Sequence, residues 1–208
     1  MASDLKGRVA LVTGSAGGIG QATAVMLAHM GADMVLLDLK EEALEETARV
    51  IAASGRSVET ICLDIRDRDG VKAGIGEAEN SLGRIDILIN NAALNPKMMN
   101  CADGEKSGTV EDYDMMLWGK EIDVGITGTF LCCRVFGSSM AERGGGSIVN
   151  IASDLAIQAP DQRVYSPTGL MEDVTNFKPI GYPVVKAAML GLNRYLATYW
   201  AHRGVRVN

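Results

Sequence analysis

From residue 8 onward, apolar clusters of strand length alternate with longer segments of helical period almost to the end of the chain. Parallel neighbours need a crossover of helix length, so this alternation reads as a parallel sheet with helices on both faces. Residues 8–13 predict a buried strand and 19–30 the helix after it, opened by glycines and closed by Gly31. Further strands are predicted over 34–37, 57–63, 85–89 and 147–151, and another begins at 205–207. Helices are predicted over 41–53, 68–81 and 182–202, with a long helical segment over 110–140 in which Gly119, Gly125 and Gly128 are candidate bends. Acidic residues crowd the first turn of 41–53 and suit the positive end of the helix dipole. Residues 92–109 read as a polar loop at the edge of an active site, and 154–180, with three prolines, as a loop or small lid.

Composition narrows the function classes. With 208 residues, 47% hydrophobic and 22% charged, the chain is long and apolar enough for a core without staples. A net charge of −6 with no dense Lys/Arg tract argues against a nucleic-acid or anionic-membrane surface. Cys62, Cys101, Cys132 and Cys133 form no CxxC pair, and His29 and His202 stand far apart, so zinc-site and disulfide-framework readings fail and no metal is expected. No signal segment is recognisable at the start and no stretch approaches a membrane span, which makes a reducing, cytoplasmic location the default.

The first predicted strand runs into Thr13-Gly14-Ser15-Ala16-Gly17-Gly18-Ile19-Gly20, which opens a helix. Glycines at such a junction let the backbone turn tightly and approach a pyrophosphate, whose charge meets free amides at the helix N-terminus. Asp38 ends the next strand, 18 residues beyond Gly20. A carboxylate there accepts hydrogen bonds from an adenosine ribose and repels a 2′-phosphate, favouring NAD over NADP; a strand-end Asx-turn is the plainer alternative.

These features, with Asp64-Ile65 after the third strand, Asn90-Asn91-Ala92-Ala93 after the fourth, Ser153 after the fifth and Tyr182-Pro183-Val184-Val185-Lys186, resemble the classical short-chain dehydrogenase/reductase family across essentially all of the chain. The resemblance implies an α/β fold: a Rossmann-type doubly wound parallel sheet in three αβα layers, in strand order 3-2-1-4-5-6-7. It also implies an NAD(P)-dependent oxidoreductase acting on an alcohol or carbonyl substrate, assembled as a homodimer or homotetramer. Gly14, Ser15, Gly17, Gly18, Ile19 and Gly20 would hold the pyrophosphate. Asp64 and Ile65 would contact adenine, and Asn90, Asn91 and Ala92 would line the adenosine side. Tyr182 and Lys186, one helical turn apart, share a face. Tyr182 would be the catalytic acid or base, Lys186 would ease its ionisation and bind the nicotinamide ribose, and Ser153 would hold the substrate oxygen.

Three departures from the family stand out. Gly125 occupies the place of a helix-bending Asn that holds a water in a proton relay. Ser153 and Tyr182 are 29 residues apart, about twice the usual spacing, so residues 154–180 read as an inserted lid. That insertion resembles one in dehydrogenases of surface-polysaccharide and flagellin modification, which implies a sugar-like substrate met by Asp161, Gln162 and Arg163, or else a solvated loop. Finally, residues 1–208 cover six of seven expected strands, as in a single NAD(P)-binding domain that lacks its C-terminal strand. A nucleotide-binding chain without turnover and a sugar-nucleotide epimerase or dehydratase remain the alternatives.

Overall fold

The structure is a computed structural model, and it describes residues 4–96 and 108–208. Six parallel strands form one sheet in the order β3-β2-β1-β4-β5-β6: β1 (Val9–Thr13), β2 (Asp33–Asp38), β3 (Val58–Cys62), β4 (Ile87–Asn90), β5 (Gly146–Asn150) and β6 (Val205–Val207). Three crossover helices are α1 (Gly18–His29), α2 (Glu41–Ala53) and α3 (Arg68–Leu82). The expected architecture and order of the first six strands are therefore observed, with boundaries moved by one or two residues.

Every residue of β1 is buried. It lies between β2 and β4, with Thr13 in register with both Leu37 and Asn90. Ala10, Val12, Met34, Leu36 and Ile89 form one core cluster with Leu44 and Ile51 of α2. Helix α1 buries Gly20, Ala24 and Ala28, a stripe of small residues at fourfold spacing, on the same cluster. Glycines within residues 68–82 lower intrinsic helicity, yet α3 forms; the Asp67 carboxylate caps it by accepting from the amides of Asp69 and Gly70.

The long helical segment starts at Met115, five residues later than its periodicity suggests, because Asp114 accepts a hydrogen bond from the Met116 amide and caps it there. It is also not one α-helix. Short α stretches α4 (Met115–Ile122), α5 (Thr129–Cys132) and α6 (Ser138–Glu142) are joined by π-turns at Asp123–Gly128 and Cys133–Gly137. Gly125 and Gly128 lie in the first π-turn, whereas Gly119 sits inside α4. The run Met115–Glu142 also corrects the membrane expectation, since it is long and apolar enough to cross one by length and composition. However, 56% of its most apolar window is buried inside the protein, as in a core helix.

The final helix, α7, spans Gly181–Trp200. The segment before it carries three short 3-10 turns, Asp154–Ala156, Gln162–Tyr165 and Met171–Asp173. Its contacts divide the chain into two compact units: Met1–Ala92, Thr127–Ile151 and Leu192–Asn208 in the first, Ala93–Ile126 and Ala152–Gly191 in the second.

Candidate active site

In the first unit, the glycine-rich turn is held from three sides. The Gly14 amide donates to Leu37 O at 2.7 Å, so the turn continues the β1–β2 pairing beyond the strand. Ala16 N donates to Asp38 Oδ2 at 3.0 Å, while Asp38 Oδ1 accepts from the amides of Leu39 and Lys40 at 2.7 and 3.3 Å. Asp38 thus makes the local turn that its strand-end position suggested and is also tied to the glycine loop. From β4, the Asn91 side-chain amide donates to Thr13 O and Gly14 O at 3.1 and 3.0 Å. The Thr13 hydroxyl oxygen accepts from the backbone amides of Asn91 and Ala92, both at 3.1 Å. Asn91 and Ala92 therefore fasten the loop to the sheet.

The glycines divide by what surrounds them. A Cβ on Gly20 would stand 2.0 Å from Gly14 O, so only glycine lets α1 start this close to the turn. A Cβ on Gly17 or Gly18 would meet no protein atom within 4 Å. At these two positions the bare backbone faces open space at the start of α1, the arrangement a pyrophosphate requires. The residues present thus fit a dinucleotide.

Ser15 is buried, with its hydroxyl 3.4 Å from Leu37 O, and Ile19 is exposed. Asp64 is paired with Arg66 at 2.6 Å, and the guanidinium holds its carboxyl below the usual range. Ile65 beside it is buried. Asn90 departs from its expected place on the adenosine side. Its side chain is buried and donates to Asn150 Oδ1 at 2.7 Å and to Cys133 Sγ at 3.2 Å, because alternate residues of a strand face opposite sides of the sheet. Composition could not flag Gln21 and Thr47: Gln21 Nε2 donates to Thr47 Oγ1 at 3.0 Å, and that oxygen lies 3.2 Å from Ser15 O. A buried threonine on the apolar face of α2 looks like core filling in sequence.

In the second unit, Ser153 caps the first 3-10 turn: its hydroxyl donates to Asp154 Oδ1 at 2.8 Å and accepts from Leu155 N at 3.2 Å. Tyr182 and Lys186 stand on the first turns of α7, with the Lys186 ammonium 5.5 Å from the Tyr182 ring centroid. Lys186 is only 2% exposed, and burial pushes its ammonium below its ordinary value. A second lysine, Lys178, lies nearer the same ring, at 4.6 Å.

The start of α7 is anchored by a group that no motif announced. The Tyr113 hydroxyl donates to Glu121 Oε2 at 2.7 Å. Burial, then the Glu121 carboxylate, push the Tyr113 phenol far above its ordinary value. A Cβ on Gly181 would stand 2.0 Å from Glu121 Oε2, so the carboxylate is seated against the glycine backbone. Glu121 is 1% exposed and its Oε1 has no hydrogen-bond partner. Four residues on, a Cβ on Gly125 would stand 2.2 Å from Val185 Cγ1. Val185 occupies the space that a side chain at 125 would need.

The profile of the short chain dehydrogenase family matches residues 8–208. The chain belongs to that family. It is 34% identical over 204 residues to D-threitol dehydrogenase of Mycolicibacterium smegmatis, covering 98% of this chain and 68% of that one. Among solved structures it is similar to an NAD+-bound xylitol dehydrogenase, at 27% identity and a TM-score of 0.84, covering 99% of this chain and 70% of that one. It is also similar to a gluconate 5-dehydrogenase from Burkholderia cenocepacia in complex with NADP and tartrate, at 28% identity and a TM-score of 0.81, covering 98% and 70%. The chain thus spans about two thirds of the length of these relatives. As a short-chain dehydrogenase it is an oxidoreductase acting on CH–OH groups, from a family whose members bind NAD or NADP.

Proposed function

We propose that this chain oxidises a secondary alcohol carbon of a polyhydroxylated, sugar-like substrate, or reduces the matching carbonyl, with NAD as the hydride carrier. The reading rests chiefly on Tyr182, a half-buried phenol on the first turn of α7 with the buried ammonium of Lys186 beside its ring. NAD, when bound, supplies the hydride acceptor. Gly14, Ser15, Gly17, Gly18, Ile19 and Gly20 would hold its pyrophosphate, with Asp38, Asp64, Ile65, Asn91 and Ala92 on the adenosine side. Tyr182 would also lie along the nicotinamide half, and Lys186 would bind its ribose hydroxyls.

The chain's own chemistry is the handling of the proton. The Tyr182 oxygen takes it from the substrate hydroxyl as the carbon–hydrogen bond breaks, and returns it in the opposite direction. Lys186 favours the ionised oxygen. Ser153 holds the substrate oxygen, exchanging its present bond to Asp154 for one to the substrate. Residues 154–180 shape substrate choice, with Asp161 and Arg163 acting as one unit because their side chains are paired at 2.6 Å. The same reading includes self-association as a homodimer or homotetramer, in a reducing cytoplasmic setting.

Cofactor reduction by a panel of sugar alcohols and secondary alcohols tests the proposal. Tyr182→Phe should lower the rate on the order of a hundredfold or more without loss of NAD binding. Asp38→Ala should relax the preference for NAD over NADP. Tight NAD binding with no turnover across the panel would overturn the reading in favour of a nucleotide-binding chain, an outcome consistent with Val185 filling the space beside Gly125.

A further inference from the structure

Lys178 lies three residues before α7, in the segment that separates β5 from that helix. Two hydrogen bonds hold it: its Nζ donates to Asn95 Oδ1 at 2.7 Å and its backbone amide donates to Gln162 Oε1 at 2.9 Å, while the buried Glu121 carboxylate favours its charged form. Partial burial works the other way and lowers the ammonium from its ordinary value. A cation within about 6 Å of an aromatic face is attracted by the ring, and more strongly once the ring carries an anionic oxygen. At 4.6 Å it is closer to the Tyr182 centroid than Lys186 is at 5.5 Å.

We propose that Lys178 is a positioning residue for the reaction, a second ammonium that acts with Lys186 to favour the ionised oxygen of Tyr182. The inference rests on Tyr182 serving as the acid or base. Among the described residues, the titratable groups that face this pair are Lys186 on the same helix and Lys178 from the preceding segment, with Glu121 of α4, bonded to Tyr113, acting on Lys178 through its charge. Asn95, which follows the Asn90-Asn91-Ala92-Ala93 run, orients the second cation, and so gives that loop an influence on the proton step.

The test uses the full chain and two readouts. Alkaline titrations of tyrosinate absorbance in the protein and in its Tyr182→Phe variant give, by difference, the ionisation of Tyr182 alone. The pH dependence of kcat/KM for alcohol oxidation is followed in parallel. In Lys178→Met both should move to higher pH by about one unit. Lys178→Arg, which keeps the charge, should stay within about 0.3 unit of the parent. Asn95→Ala, which frees the ammonium, should fall between the two. A Lys178→Met difference titration that coincides with the parent's overturns the assignment, whether or not an alcohol is turned over. A shifted titration without turnover supports Lys178 while counting against alcohol oxidation.

Discussion

Gly125 and Val185 make the sharpest contact between sequence and mechanism at the scale of single residues. A Cβ at 125 would press on Val185 Cγ1, so Gly125→Asn should destabilise the protein by about 1–3 kcal/mol, as overpacking does. Adding Val185→Ala should recover most of that loss, and urea unfolding of the single and double variants measures it. Lys186 offers a second test. Its ammonium is depressed below the ordinary 10.5 by burial, so between the folded value and 10.5 the unfolded chain binds more protons and stability rises with pH. Lys186→Met should therefore be more stable than the parent at neutral pH, and the gap should close as pH approaches 10.5. A gap that stays constant across that window would show that the buried charge is not its source. Tyr182 and Lys186 were legible as a pair because a turn of helix separates them. Lys178 was not, since its approach to the ring depends on how an aperiodic segment folds back.

Among the elements, α7 and the turn that precedes α4 carry the least expected feature. Glu121, hydrogen-bonded by Tyr113, is seated against the first residue of the helix that presents Tyr182. Removing the phenol hydroxyl leaves a buried carboxylate without its hydrogen bond, so Tyr113→Phe should cost about 1–3 kcal/mol, read by thermal or urea unfolding. The buried Glu121 was invisible to periodicity, which sees a charged residue and assigns it to solvent. The π-turns were equally hidden: glycines at 125 and 128 suggested bends, but not the extra residue per turn that a π-turn carries. By contrast, the strands, α1 and α2 could be placed to within a residue or two, because apolar period and the glycines or acidic residues at the helix starts agree there. The loop segment could be recognised as aperiodic, but the first two of its 3-10 turns rest on local caps from Ser153 and Asp161.

For the whole molecule, burial is uneven. The first unit holds a sheet whose strand β1 is buried throughout and whose neighbours β2 and β4 are buried except at their ends, while much of residues 154–173 is exposed and held by short 3-10 turns. Hydrogen exchange should reflect this, with amides of β1, β2 and β4 protected up to global unfolding and most amides of 154–173 exchanging by local opening. Uniform protection across both would contradict the picture. The order of the strands was readable only through the family resemblance, which the glycine turn, acidic strand end and asparagine run carry. The division into two units was not, since it depends on contacts between segments far apart in the chain.

The packing of Val185 against Gly125 also has a historical consequence. An asparagine at 125 meets a valine that leaves it no room, and a smaller residue at 185 opens a gap before any amide arrives to fill it. Each single step is worse than its starting point. A lineage with this pair therefore faces a valley between two workable arrangements, crossed only when both positions change together.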